Sequence, residues 1–295
     1  MKNDEIKFLE EDKVKEMFSD VCKHLDIKPT KEDIEKLVVY EMTDGQRTST
    51  PLTNSWSNYY GGGMFCLRFI DMFKKLGGKN IVINVIHSRH KDRENYQDIY
   101  EGMCRLVKPF GEYASKNNVK LRFVGDYDET IAAPGATMDL RQALAQLTAD
   151  TSKNTGLTAY FMINYTMDWL ANGGYEKIWK EVPQVNVILR HAKGYVNGDM
   201  WLPKKLDDNS FMYVQNGSVN ENWNDKQILY LIGIALRSVI VNRGTHYSKV
   251  YKGEEAKYVY TKREKELVMT HKALEQDYTK RAVIFSGVGP EIYEF

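Results

Sequence analysis

The chain of 295 residues is poor in cysteine, with only Cys22, Cys66 and Cys104. An odd number of widely separated cysteines is not typical of a disulfide framework or of a cysteine-ligated zinc site. We therefore expect reduced thiols and a cytoplasmic location.

The chain also lacks long apolar runs and an excess of one charge. Its N-terminus, MKNDEI, contains no apolar signal region, and no stretch is long enough to span a bilayer, so we expect no integral membrane segment. The 41 basic and 40 acidic residues leave a net charge of +1. Because nucleic-acid binding needs basic residues in excess to neutralise phosphates, this balance argues against a nucleic-acid partner.

Short apolar runs typical of buried strands alternate with segments of helical periodicity. This order predicts an α/β fold with a doubly wound, parallel six-stranded sheet flanked by helices. The expected strands are 38–42, 80–86, 119–126, 157–165, 185–190 and 210–215.

Both ends of the chain carry helical patterns outside this alternation. We expect an N-terminal helical extension over residues 1–36, in which Thr30 and Asp33 can cap a short helix. An α/β domain over 37–243 follows. A C-terminal helical extension is expected over 244–295, with a helix at about 261–278.

The first expected strand runs directly into Asp44, Gly45, Gln46 and Arg47. At a strand end, an aspartate can bind Mg²⁺, a glycine lets backbone N–H groups approach a ligand, and an arginine can bind two phosphate oxygens. These residue types suit a diphosphate. The alternative is an ordinary turn, because Asp-Gly is among the commonest turn dipeptides.

Two further segments lie near expected strand ends. A loop over the strand end is expected at 48–60. The glycines at 61–63 then precede apolar residues at helical spacing. This triple glycine predicts either an anion cradle at the helix start or a flexible entry loop. The cluster 87–93 follows the second strand and is either a site or a solvated helix start.

The order of several motifs resembles that of the cis-prenyltransferase family, typified by undecaprenyl diphosphate synthase. The resemblance covers about 37–243 and rests on the strand end at 44–47, RFVGD at 122–126, NTGLT with Asn-Tyr within 154–165, and VILR at 187–190. It implies a sheet with a hydrophobic tunnel, a homodimer, and prenyl diphosphate substrates with Mg²⁺.

The resemblance also implies roles for particular residues. Asp44 takes the place of the family's catalytic aspartate and binds metal, together with Glu221. His90 stands at the position of a catalytic asparagine, and Arg93 matches a family arginine. The residues implied to bind substrate diphosphate are Gly45, Gln46, Arg47, Tyr60 and Arg190.

Several departures from the family pattern weaken one half of the implied site. The tryptophan expected after the first motif is missing. Of the clamp for the second, homoallylic diphosphate, only Arg190 remains, because 191–198 lack the second arginine and the serine, and a polar stretch follows at 199–209. Each lost charge-assisted hydrogen bond costs about 1.5–3 kcal/mol of binding free energy.

Three functions therefore stay open. In the favoured one, only the donor site survives, and an allylic cation cyclises or is quenched with release of diphosphate, as in a terpene synthase. In the second, Lys193, His191 or the inserted loop rebuilds the clamp, and two prenyl diphosphates are joined by cis elongation or irregular coupling. In the third, the chain is a non-catalytic subunit of a heteromeric prenyltransferase, although the retained Asp44, Gly45 and Arg47 argue against it.

Overall fold

The fold is seen in a computed structural model that describes most of the chain. The described residues are 8–42, 55–86, 90–128, 130–136, 138–164, 167–191, 210–215, 223–242, 257, 281–286 and 289–294.

The described strands form one sheet in the order β3-β4-β2-β1-β5-β6-β7-β8. Strands β1 to β6 run parallel, which confirms the predicted six-stranded parallel sheet, and β7 and β8 continue it antiparallel. The strands are β1 (Val38–Met42), β2 (Asn80–Ile86), β3 (Lys120–Gly125), β4 (Thr158–Ile163), β5 (Val187–His191), β6 (Ser210–Gln215), β7 (Arg281–Ser286) and β8 (Gly289–Glu294).

Strands β7 and β8 correct the prediction of a helical C-terminal extension. Residues 281–286 and 289–294 form an antiparallel pair that extends the sheet beyond β6. Val283, Ile284 and Phe285 are strong strand formers, and β6 offers them an edge on which to pair. The helix expected at 261–278 lies outside the described residues, and the domain boundaries stay a prediction.

Helices connect the parallel strands, and none that the structure describes is long and apolar enough to cross a membrane. The predicted cap at Thr30 is confirmed, since its backbone N–H donates to Asp33 at 2.7 Å and its hydroxyl accepts from the Asp33 N–H at 3.2 Å. The described helices are α1 (Glu11–His24), α2 (Lys31–Lys36), α3 (Trp56–Lys75), α4 (Tyr96–Lys116), α5 (Leu140–Asp150), α6 (Met167–Trp169), a π turn (Leu170–Gly174), α7 (Tyr175–Glu181) and α8 (Asp225–Asn242).

The described residues cover the two faces of the sheet unequally. Val39 points into the larger apolar cluster, which α1, α3, α4, α5 and α8 share with the sheet. Val38, Tyr40 and Met42 point into a smaller cluster on the other face, which includes Ile178 of α7. Because β1 is buried on both faces, its residues are apolar with a single exception, Glu41.

Helices α3 and α4 pack directly against each other, and each carries a glycine at the contact. A Cβ at Gly63 would stand 2.1 Å from the Leu106 side chain. A Cβ at Gly102 would stand 2.9 Å from the Trp56 carbonyl oxygen and 2.8 Å from the Tyr59 Cβ. The two N-terminal halves are therefore held side by side.

Candidate functional site

The candidate site lies at the carboxyl edge of the parallel strands. β1 is central, with β2 on one side and β5 on the other, and in this register Met42 pairs with Asn84 and with Arg190. The backbone of Arg190 therefore lies beside Met42, the last residue of β1. Asp44 follows Met42 by two residues in the sequence. This edge, where strand order reverses, is where open α/β sheets bind ligands.

Several predicted site residues cannot be placed further. Asp44, Gly45, Gln46, Arg47 and Glu221 lie outside the described residues, as does the side chain of Arg190. In the described part of the chain, no group of three or more His, Cys, Asp or Glu residues could hold a metal ion. The roles of these residues and the Mg²⁺ site stay predictions.

His90 and Arg93 lie in a tight turn between β2 and α4. The backbone N–H of Arg93 donates to the His90 carbonyl at 3.1 Å, and the N–H of Tyr96 donates to the Arg93 carbonyl at 3.0 Å. Both site side chains are half-buried. The turn therefore holds them at the carboxyl edge with part of each side chain accessible.

The first turn of α3 is tied to the first turn of α4. The backbone N–H of Trp56 donates to the Asp98 carboxylate at 3.1 Å, and the Asn95 amide donates to the Tyr59 hydroxyl at 2.6 Å. Because both helices follow parallel strands, both N-termini lie at the carboxyl edge. The Asp98 carboxylate is itself the anion at the start of α3, and the partial positive charge at the start of α4 favours an anion at the same edge.

The predicted anion cradle at glycines 61–63 is wrong. Helix α3 begins at Trp56, so these glycines lie in its second and third turns, where backbone N–H groups are bonded within the helix. Residues 56–60, expected to belong to a loop, are helical, and 48–54 lie outside the described residues. Gly63 serves the contact with Leu106 instead.

Tyr60 lies in the second turn of α3 and is half-buried. Its ring meets the Trp56 ring edge-on, with centroids 6.3 Å apart. The Arg105 guanidinium of α4 lies 4.0 Å from the Trp56 ring centroid. Tyr60 thus belongs to the aromatic side of the α3–α4 contact, and its role in diphosphate binding stays a prediction.

Glu41 is a site candidate to which the sequence analysis gave no role. It is fully buried in β1, three residues before Asp44. Burial raises the pKa of the Cys66 thiol in α3 well above its usual value, and the nearby charge of Glu41 raises it further. The signal in the sequence is a carboxylate that interrupts an otherwise apolar strand.

Two asparagines also fix the carboxyl edge. Asn164, after β4, adopts a positive φ of 47°, its backbone N–H donates to the Ile86 carbonyl at 2.7 Å, and its side chain donates to the Thr130 hydroxyl at 2.7 Å. Asn84 donates to the Tyr40 hydroxyl at 3.3 Å. These bonds join the ends of β2 and β4 and cross-link β1 to β2.

The fold can be compared with solved structures. The chain is similar to lavandulyl diphosphate synthase from Lavandula x intermedia, solved in complex with dimethylallyl diphosphate, with a TM-score of 0.53 and 13% identity over 75% of this chain and 98% of that one. This is the cis-prenyltransferase fold. The resemblance found in the sequence is thus confirmed at the level of the fold, and the hydrophobic tunnel stays a prediction.

The other comparisons provide no further support for the fold. A probable undecaprenyl diphosphate synthase from Campylobacter jejuni aligns with a TM-score of 0.46 and 13% identity, over 73% of this chain and 97% of that one. No protein-family model matches the chain, and no curated protein matches it in sequence.

Proposed function

We propose that the protein is a Mg²⁺-dependent enzyme that ionises an allylic prenyl diphosphate at the carboxyl edge around Asp44. The observation that carries this proposal is the convergence there of the end of β1, the backbone of Arg190, the His90–Arg93 turn and the N-termini of α3 and α4. The fold supports it, because the similar lavandulyl diphosphate synthase was solved with an allylic diphosphate bound.

The chemistry begins with heterolysis of the bond between the allylic carbon and the diphosphate oxygen. The electron pair leaves on the diphosphate, so the site must hold a group that gains negative charge. Backbone N–H at Gly45, with Gln46, Arg47, Tyr60 and Arg190, would bind its oxygens. His90 and Arg93 would lie beside the leaving group and stabilise the charge that develops on it.

The residues proposed as metal ligands fit Mg²⁺ in their chemistry. Asp44 and Glu221 offer carboxylate oxygens, which are the donors that Mg²⁺ prefers. They follow β1 and β6, which end at the same edge with β5 between them. When bound, Mg²⁺ would supply positive charge to the leaving diphosphate.

The most favoured outcome is a terpene synthase. A single allylic substrate needs one diphosphate site and a pocket that excludes water from the cation. The loss of the second arginine and the serine after Arg190 leaves the acceptor clamp incomplete, which favours cyclisation or quenching of the cation over coupling.

The second candidate is the joining of two prenyl diphosphates, by elongation or irregular coupling. The specific observation in its favour is that the similar solved protein is named for a product, lavandulyl diphosphate, that keeps a diphosphate group. A non-catalytic subunit of a heteromeric prenyltransferase is the third.

One assay separates these candidates. The purified protein is incubated with Mg²⁺ and dimethylallyl, geranyl, farnesyl or geranylgeranyl diphosphate, each with and without isopentenyl diphosphate. We expect release of inorganic diphosphate and formation of hydrocarbon or alcohol from one allylic substrate alone. If diphosphate release strictly requires isopentenyl diphosphate, the result favours the joining of two prenyl diphosphates. If no substrate is turned over under any condition, the result favours the non-catalytic subunit.

A further inference from the structure

A groove lies at the amino edge of the sheet, away from the candidate site. It has a volume of about 580 Å³ and lies between α1, α2, the loop that joins them and the C-terminal end of α3. Its wall at α3 is Leu76, which follows the last residue of that helix. Helix α3 begins at the carboxyl edge and is 20 residues long, about 30 Å at 1.5 Å per residue. The groove is therefore separate from the candidate site.

The floor of the groove is apolar and recessed. It is formed by Phe18 and Cys22 of α1, Ile27 of the connecting loop, Ile34 of α2 and Leu76. Phe18, Cys22 and Ile27 are buried, so a flat surface would not reach them, whereas a single apolar chain that enters the groove would cover them. Small-molecule pockets typically have volumes of about 300–1,000 Å³, a range that includes this groove.

Hydrogen bonds fix the loop of the groove at both of its ends. Helix α1 ends in a Schellman motif, in which the Asp26 N–H donates to the Lys23 carbonyl at 3.2 Å. The Ile27 N–H donates to the Cys22 carbonyl at 3.0 Å, and Asp26 adopts the left-handed conformation of this motif with a φ of 50°. The Thr30 capping box then starts α2. A ligand would therefore meet an ordered loop, which reduces the entropy lost on binding.

The groove is lined by three ammonium groups and one carboxylate. The ammonium groups belong to Lys15, Lys23 and Lys28, and the carboxylate belongs to Asp26. Lys28 is exposed and makes no ion pair with any residue that the structure describes. A phosphate monoester carries a charge of about −1.5 to −2 at pH 7, which complements this excess of positive charge.

Two of the lysines already have partners on α1. Lys15 pairs with Glu11 at 2.5 Å, and Lys23 pairs with Asp20 at 2.9 Å. All four side chains are more than half exposed, and exposed ion pairs contribute little to stability, so these ammonium groups can turn towards a ligand. The same two acids would repel an extended anionic surface. This arrangement favours a free amphiphile with one head group over a membrane surface.

We propose that this groove binds an amphiphile that has one apolar chain and a phosphate head group. The chain lies on Phe18, Cys22 and Ile27, and the head group contacts the ammonium of Lys28. The proposal does not rest on the proposed function, because the groove shares no residue with the candidate site. It assigns a second, non-catalytic ligand site to the N-terminal helices.

Isothermal titration calorimetry of the whole chain with octyl phosphate tests this site. Hexyl and decyl phosphate measure the contribution of the chain, and we expect the affinity to rise about fourfold for each added CH₂ group that the groove buries. Inorganic phosphate and octanol supply the head group and the chain separately, and each should bind at least about tenfold more weakly than octyl phosphate. If either one binds as tightly as octyl phosphate, the proposal is wrong.

Three substitutions at exposed positions test the contact with the head group. Lys28→Glu reverses a charge in the groove and should weaken octyl phosphate binding at least about tenfold. Asp26→Asn removes the opposing carboxylate and should strengthen binding about threefold, and asparagine tolerates the left-handed backbone there. Lys153→Glu, after α5, makes the same charge change outside the groove and should leave the affinity unchanged. Equal effects of the two lysine variants would show attraction by overall charge and overturn the proposal.

The remaining outcomes separate the groove from other binding sites. Asp44→Ala should keep the affinity for octyl phosphate. If Asp44→Ala loses it and Lys28→Glu keeps it, the ligand binds at the carboxyl edge and the proposal is wrong. A wild type that binds no octyl phosphate also overturns the proposal, and its sedimentation with phosphatidylglycerol vesicles would then indicate a membrane surface. A wild type that binds octyl phosphate in the groove but releases no diphosphate from allylic substrates supports this proposal and contradicts the proposed function.

Discussion

The Asp98 carboxylate of α4 accepts a hydrogen bond from the backbone N–H of Trp56 at 3.1 Å, so one helix caps the start of the other. The first N–H groups of a helix have no partner within it, and a carboxylate also interacts favourably with the helix dipole. The N-cap residue Ser55 also accepts, through its hydroxyl, from the Ser57 N–H at 3.4 Å. The two bonds together support a helix start before the glycines.

Removing this cap should destabilise the protein. We expect Asp98→Ala to lower the free energy of unfolding by about 1 kcal/mol, in the range known for lost helix caps. Urea denaturation provides the measurement, and the exposed Asp92 provides the control as Asp92→Ala. Equal midpoints for the two variants would show that the cap contributes nothing.

The close approach of α3 and α4 predicts a second stability effect. Gly102→Ala places a methyl group 2.9 Å from the Trp56 carbonyl oxygen, which is backbone and cannot move easily. We expect a loss of about 1–3 kcal/mol, typical of overpacking. Gly111→Ala is the matched control in the same helix, because its methyl meets only the end of the Leu147 side chain, at 2.8 Å. Thermal unfolding that ranks Gly111→Ala as the less stable variant would contradict this account.

The Asp71 carboxylate predicts the largest stability effect. It is 2% exposed and pairs with Lys75, which is 14% exposed. Burial and the charge of Asp71 also raise the pKa of the Tyr113 hydroxyl, which donates to it. Removal of the Asp71 carboxylate leaves the Lys75 ammonium buried without its ion-pair partner. We therefore expect Asp71→Ala to lower the free energy of unfolding by about 3–5 kcal/mol. Asp71→Asn should cost less, since its amide oxygen still accepts from Tyr113; similar denaturation midpoints for the two variants would argue against this role.

Two buried thiols predict a loss of stability at alkaline pH. Burial raises the pKa of Cys22 and of Cys104 from 9.0 to about 11, with the charge of Glu101 contributing at Cys104. Between these values the unfolded chain ionises its thiols while the folded chain keeps them protonated, so the unfolded state binds fewer protons. Stability should therefore be full below pH 9.0 and fall as the pH rises towards 11. The double variant Cys22→Ala, Cys104→Ala should show a shallower fall in chemical denaturation, and an unchanged slope would refute the assignment.

The proposed site predicts an effect on turnover alone. Asp44→Ala should abolish diphosphate release, because it removes a proposed metal ligand, and it should leave the free energy of unfolding nearly unchanged, since a strand-end acid supports no core. Diphosphate release and urea denaturation on the same preparation provide the measurement. An Asp44→Ala variant of near-normal activity would contradict the proposal that the protein binds and ionises a prenyl diphosphate.

The sequence sufficed to predict the parallel strands. The expected ranges 38–42, 80–86 and 210–215 agree with β1, β2 and β6. For β1 and β2 the reason is burial on both faces, which makes such strands nearly continuous apolar runs. The sequence analysis missed the start of α3, where the N-cap Ser55 is a local signal and Asp98, in another helix, accepts from the Trp56 N–H. Nor could it predict β7, whose partner lies far away in sequence, since Gln215 pairs with Arg281.

The candidate site was predictable only in its location. Parallel strands end at one edge, so the strand ends that carry Asp44, His90 and Arg190 had to converge. The contacts within it, such as the bonds from Asn95 to Tyr59 and from Trp56 to Asp98, depend on how the helices pack against each other. Sequence periodicity does not encode such distances.

The unequal cover of the sheet by the described helices has a consequence for local unfolding. On the smaller cluster, the layer of α6, the π turn and α7 contains a kink, with Gly173 at a φ of 99°. A segment with few buried apolar contacts unfolds locally at a lower free energy than the global transition. Amide protons of α7 should therefore exchange with solvent before those of α3, and Trp179, 47% exposed and stacked on Tyr175, lies where its fluorescence can report that opening.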